Sequence, residues 1–218
     1  MLKLYFGPGA CSFVPHAALE IIRAATGEAF ETQAVKLHKG EQKLPEYLAL
    51  NPLGLVPVLL VEGKPLTQIV AICDYLDRRY PQAGLLPAEP SQHTEAMSQL
   101  AWMNNTVHPT FTHVFMPQKF ADDEAAKAEL KRFNCALFRM QLERIEGLLA
   151  KASPYLCGER ISFLDLYAVV FLRWGALAGI DPDSLPAYKA FVERIAALPP
   201  LAAALAREGI PLFSLRKA

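Results

Sequence analysis

The chain has 218 residues, with 22 Lys and Arg balanced by 22 Asp and Glu, and 52% of its residues are apolar. That is enough for one large domain or two small ones, and the lack of a basic excess argues against a nucleic-acid or anionic-membrane surface. Cys11, Cys73, Cys135 and Cys157 stand far apart with no CxxC pair, which disfavours a zinc site or a disulfide framework. No metal is expected. The opening apolar run stops at Gly7-Pro8, too short for a signal peptide, and no uncharged run of about 18 apolar residues exists. The expectation is a reduced, cytoplasmic protein with no membrane or nucleic-acid partner.

Residues 2–6 (LKLYF) read as a short buried strand. From Ser12 onward, Phe13, Ala17, Ile21 and Ala24 form one apolar stripe that ends at Gly27, a helix with Ser12 as N-cap and Pro15 harmless in its first turn. His16 then falls in the helix interior, bonded locally. Residues 31–37 read as a second strand, 44–52 as at most a short helix, and 58–61 with 65–66 as a hairpin around Glu62-Gly63. The amphipathic stretch 68–80 places Ile69, Ile72, Cys73 and Leu76 inward. The order is βαβαββα. Three prolines and a glycine in residues 81–90 mark a linker. Beyond it the chain reads helical: a long helix from Ser91 interrupted at Pro109, a second from Asp122 to Leu149, an apolar third over 162–179, and two shorter ones. Ser162 and Asp165 have capping-box spacing and are assigned to stability rather than catalysis.

Four segments carry a family likeness: PGACS after the first strand, NPLGLVPVL in the middle, LTQIVAICDYL opening the third helix, and YLCGERISFLDLYAVVFLRW in the helical half. In this order and spacing they resemble the glutathione S-transferase superfamily, in particular its bacterial cysteine-type (beta-class) members, over nearly the whole chain. The resemblance implies a thioredoxin-like glutathione-binding domain at 1–80, a linker at 81–90, and an all-helical domain at 91–218 that holds the electrophile site and the homodimer contacts.

Residue chemistry and resemblance meet at several positions. Cys11 lies at the positive end of the first helix, which favours a thiolate and a lowered pKa; the resemblance places it beside the sulfur of glutathione, with Ser12 donating to that sulfur. The alternative for Cys11 is a small buried filler. Val56-Pro57 resembles the family's cis-proline turn, whose backbone holds the cysteinyl part of glutathione in strand-like fashion; an ordinary loop proline is the alternative. Gln68 matches a partner of the ligand's α-amino group. Ile69 departs from the family's small or hydroxyl residue, leaving only backbone N–H groups for the α-carboxylate, a loss of about 1.5–3 kcal/mol. Lys36 matches a position that meets the glycyl carboxylate, with a solvated lysine as its alternative. His108 is retained in the segment facing the sulfur, as base or donor, while Pro109 replaces a family lysine. Asn104, one turn earlier, lines the same cleft, and His113 is a weaker candidate. Tyr5 is a rival hydroxyl, read as strand packing. Cys73, Cys135 and Cys157 read as structural.

The resemblance thus implies glutathione as co-substrate and conjugation of its thiolate to a small hydrophobic electrophile entering near Phe111 and Phe115. Glutathione-dependent disulfide or peroxide reduction through Cys11 is a further route. A non-catalytic binding or regulatory module with the same fold is the alternative, suggested by Ile69 and Pro109.

Overall fold

The computed structural model describes residues 1–152 and 154–213. The first half is a mixed sheet packed against helices. Strand β1 (Leu2–Phe6) alternates buried Leu2, Leu4 and Phe6 with partly exposed Lys3 and Tyr5, the period-two pattern of a sheet with one face on the core. It pairs in parallel with β2 (Phe30–Ala34) and antiparallel with β3 (Val58–Val61), which pairs in turn with β4 (Lys64–Thr67). The sheet order is β2-β1-β3-β4. The second strand ends at Ala34, three residues before its sequence-based limit, and Lys36 instead opens a 3-10 turn at Leu37–Lys39.

Helix α1 (Phe13–Thr26) stops at Gly27, whose φ of 78° lets its N–H bond to the Arg23 carbonyl. Every residue of α1 from Phe13 to Glu20 is buried, because α1 packs on the sheet side and also on helices α7 (Phe163–Leu177) and α9 (Pro199–Glu208). A short α2 (Pro45–Leu48) and α3 (Ile69–Arg79) complete this half. Leu4, Leu19, Ile22, Leu59, Ile72 and Leu76 form its fully buried centre, each contributing about 1.5–3 kcal/mol of burial.

The helical half begins with α4 (Pro90–Trp102). The sequence places an interruption at Pro109, but the irregular turn lies just before it, as a π-helical turn over Met103–Val107 that leads into α5 (His108–Phe115). The displacement has a steric reason. A proline ring clashes with the carbonyl four residues earlier, here that of Asn105, and the helix widens there to accommodate it. Helix α6 (Glu124–Leu149) starts on Asp123, whose carboxylate accepts from Ala126 N at 2.8 Å. At the start of α7 the Asp165 carboxylate accepts from Ser162 N and Ser162 Oγ at 2.7 Å each, and from Leu156 N at 3.0 Å. Helix α8 (Pro186–Ala196) closes over α7, its Tyr188 hydroxyl donating to the Ala168 carbonyl at 2.7 Å. One continuous apolar core runs from β1 through α1 and α7 to α9. Among the described residues no helix is long and apolar enough to cross a membrane, and no group of three His, Cys, Asp or Glu could hold a metal.

Candidate active site

The site is organised by the loop between β1 and α1. Ser12 sits at the N-cap position, yet its φ of −61° and ψ of −12° are already helical and its side chain caps nothing. The hydroxyl turns back instead, accepting from Gly7 N at 3.0 Å and donating to the Gly7 carbonyl at 3.2 Å. Ser12 is fully buried, so it pins the loop and has no hydroxyl to offer a ligand. That corrects both the capping and the donor role read from the sequence.

Gly9, two residues ahead of Cys11, is gripped by the helical half. Its N–H donates to Glu208 Oε2 at 2.8 Å, and its carbonyl accepts from Arg173 Nη1 at 2.8 Å and Trp174 Nε1 at 3.1 Å. Glycine suits the position: its φ of 73° is one that other residues rarely adopt, and a Cβ there would have to push the Arg173 guanidinium aside. The other Glu208 oxygen lies 2.9 Å from His16 Nδ1. His16 is therefore bonded across 192 positions of sequence rather than locally.

Cys11 is buried and its Sγ donates to the Val56 carbonyl at 3.7 Å. The thiol is not activated. Burial pushes its pKa up to about 12, although the backbone N–H groups of Cys11 and Ser12 point at the sulfur and pull the other way. The expected lowering fails because two partial dipoles cannot replace the water that a thiolate loses on complete burial.

Val56-Pro57 is a cis peptide. Its loop is held from behind by Tyr47 Oη and Asn51 Nδ2, which both donate to the Leu55 carbonyl at 2.8 Å. The contact of Cys11 with Val56 brings the start of α1 against the head of β3, so these two predicted positions lie side by side. Gln68 precedes α3 with a φ of 70°, a left-handed conformation that non-glycine residues rarely adopt, and its side chain is exposed. Ile69 turns its side chain into the apolar core, leaving backbone amides as the polar groups at that helix start. Lys36 is exposed; its N–H donates to Glu41 Oε2 at 2.7 Å.

His108 opens α5. Its Nδ1 lies 2.8 Å from the Tyr167 hydroxyl, and its ring packs edge-on against Trp174 at 4.9 Å. Burial pulls its pKa down to about 4, so the imidazole is neutral at physiological pH. Asn104 gives its side chain to protein partners: Oδ1 accepts from Tyr167 Oη at 3.2 Å and Nδ2 donates to Asn105 Oδ1 at 2.9 Å. Phe111 stacks on Trp174 at 4.4 Å and on the exposed Phe115 at 5.4 Å, making an aromatic wall beside His108. His113 stands apart, its ring tilted against Phe120 at 4.2 Å. Tyr5 packs edge-on against Tyr47, a strand-packing role.

Sequence reasoning missed Glu208, Arg173, Trp174 and Tyr167. Arg173 was the most visible, as the one charge in an apolar run from Leu166 to Leu177. Glu208, in a polar helix end, gave no such signal.

A four-stranded mixed sheet with flanking helices, a cis-proline loop facing the first helix start, and an appended helical half define a thioredoxin-like layer with an all-α partner. The family model of the glutathione S-transferase N-terminal domain matches residues 1–78, and that of the C-terminal domain matches residues 103–199. A glutathione S-transferase of Xanthomonas campestris pv. campestris is 31% identical over 210 residues, covering 96% of this chain and 100% of that one. A sphingomonad glutathione S-transferase solved in complex with glutathione has a TM-score of 0.79 at 33% identity, covering 96% of this chain and 100% of that one. A bacterial beta-class enzyme from Sphingomonas chungbukensis matches at a TM-score of 0.79 and 32% identity, with the same coverage. The chain belongs to the glutathione S-transferase family.

Proposed function

We propose that the protein conjugates the thiolate of glutathione to small apolar electrophiles. The carrying observation is the 3.7 Å contact between Cys11 Sγ and the Val56 carbonyl, which sets the amide-rich start of α1 against the cis-proline loop. An extended tripeptide laid along Val56 by strand-like pairing would bring its own sulfur to the N–H groups of Cys11 and Ser12. Gln68 and the backbone amides at the start of α3 would take the γ-glutamyl end, and Lys36 the glycyl carboxylate. The electrophile would lie on the Phe111 and Trp174 wall, held next to the sulfur so that positioning supplies much of the rate.

Cys11, protonated at neutral pH, is no thiolate nucleophile in the ligand-free protein. In the redox route Cys11 gives up its proton as its sulfur attacks the glutathionyl sulfur of a glutathionylated disulfide substrate, whose own thiolate leaves and is protonated. A glutathione thiolate then attacks the glutathionyl sulfur on Cys11, forming glutathione disulfide and releasing the Cys11 thiolate, which takes a proton from solvent. The residues 1–80 would hold the tripeptide, 81–90 link, and 91–218 hold the electrophile, in a cytoplasmic homodimer.

Retention of the purified chain on immobilised glutathione, followed by elution with free glutathione, tests this reading. Conjugation of a chloronitroarene should survive Cys11→Ala within about tenfold, while glutathione-dependent disulfide reduction should be lost. Failure to bind at millimolar glutathione would favour the non-catalytic module, which the core-buried Ile69 side chain would explain.

A further inference from the structure

Asn104, Tyr167 and His108 form a directed chain of hydrogen bonds. The direction is set at its outer end. Asn104 Nδ2 donates to Asn105 Oδ1 at 2.9 Å, so Asn104 Oδ1 faces inward and accepts the Tyr167 hydroxyl proton at 3.2 Å. Tyr167 is fully buried and has one proton to give. With that proton committed to Asn104, its oxygen can only accept at the 2.8 Å contact with His108 Nδ1. The proton of the neutral imidazole must then sit on Nδ1. His108 Nε2 then carries the lone pair.

We infer that Asn104 and Tyr167 are positioning residues that hold His108 in the Nδ1–H tautomer, so that its Nε2 serves as an acceptor for the glutathione thiol and not as a donor to a thiolate. This rests on the glutathione reading above, and it chooses between the two roles open to His108. Asn104 stands four residues ahead of His108, and both reach the same tyrosine of α7. In the reaction the thiol proton moves to Nε2 as the sulfur–carbon bond forms. The leaving group departs as an anion with its bonding pair, and His108 returns the proton to solvent. The Nδ1–H bond to Tyr167 is kept throughout, which orients the ring.

The tautomer is measured on the full-length, ligand-free protein by long-range nitrogen–proton correlation with ¹⁵N-labelled histidine, the His108 signal being identified as the one missing in His108→Gln. Wild type should show a protonated Nδ1 and a bare Nε2. Asn104→Leu removes the acceptor, so the Tyr167 proton turns onto Nδ1 and the tautomer should switch to Nε2–H. Asn104→Asp keeps an acceptor and should keep the wild-type tautomer. Asn104 is only partly buried, so both variants should fold; Tyr167→Phe, which frees Nδ1 and should give a tautomer mixture, is the second probe. In conjugation assays Asn104→Leu should lower kcat about tenfold or more with KM for glutathione nearly unchanged, and Asn104→Asp should restore most of it. An Nε2–H wild type, or a tautomer indifferent to Asn104→Leu, would overturn the inference whether or not the protein uses glutathione. A tautomer that behaves as stated in a protein that does not bind glutathione would sink the functional reading and leave the tautomer lock standing.

Discussion

Replacing Glu208 by alanine should loosen the site from a distance. Glu208 is buried, and its carboxylate takes two contacts from the other end of the chain: Gly9 N at 2.8 Å and His16 Nδ1 at 2.9 Å. Removing it leaves a buried donor on His16 and a half-buried one on Gly9 without partners, each costing about 1–3 kcal/mol, or roughly 4 kcal/mol together. For a chain of this size each kcal/mol moves the midpoint by about 2–4 °C, so Tm should fall by about 10 °C. Glu208→Gln keeps an acceptor for Gly9 and should lose less than half as much. Differential scanning calorimetry measures both. The Gly9 loop also carries Cys11 and Ser12, so glutathione affinity should fall in Glu208→Ala even at temperatures where the variant is folded. A Tm within about 2 °C of wild type would refute the reasoning, because buried donors that cost nothing to orphan are not holding the two halves together.

Other perturbations read out separate parts of the account. Alkylation of Cys11 by iodoacetamide should stay slow through neutral pH and accelerate only toward pH 12, because burial favours the thiol; an inflection below about pH 9 would contradict this. Asp165→Ala should cost about 2–4 kcal/mol in denaturant unfolding, since Ser162 N and Leu156 N lose their acceptor at the start of α7. His108 has a folded pKa of about 4, below the usual histidine value of 6.5, so the unfolded chain binds its proton first. Stability should therefore fall as pH drops from about 6.5 to about 4, by up to roughly 3 kcal/mol from this residue. His108→Gln should flatten that part of the acid-unfolding curve.

Local chemistry made much of the fold legible. Gly27 ends α1 where the sequence puts the stop, and the capping spacing at Ser162 and Asp165 is used. Pro109 signals a disturbance in the sequence, and its steric effect falls on the turn before it. At the candidate site one neighbour pair is legible in the sequence, its chemistry less so. Cys11 and Val56 do meet, while the thiol's state depends on complete burial, which no local pattern reports. Ser12 has the residue type of a cap or a donor, and only the loop's own backbone shows that Gly7 uses its hydroxyl. The grip of Glu208 on Gly9 and His16 spans nearly the whole chain, beyond any window over which spacing carries information.

The most direct test of the central claim is a calorimetric titration of the ligand-free protein with glutathione, repeated with Gly9→Ala. Saturable binding that weakens at least tenfold in the variant is expected, because a Cβ at Gly9 displaces Arg173 and shifts the loop bearing Cys11. No heat at millimolar glutathione, or equal affinity in the two proteins, would contradict a tripeptide site at the start of α1.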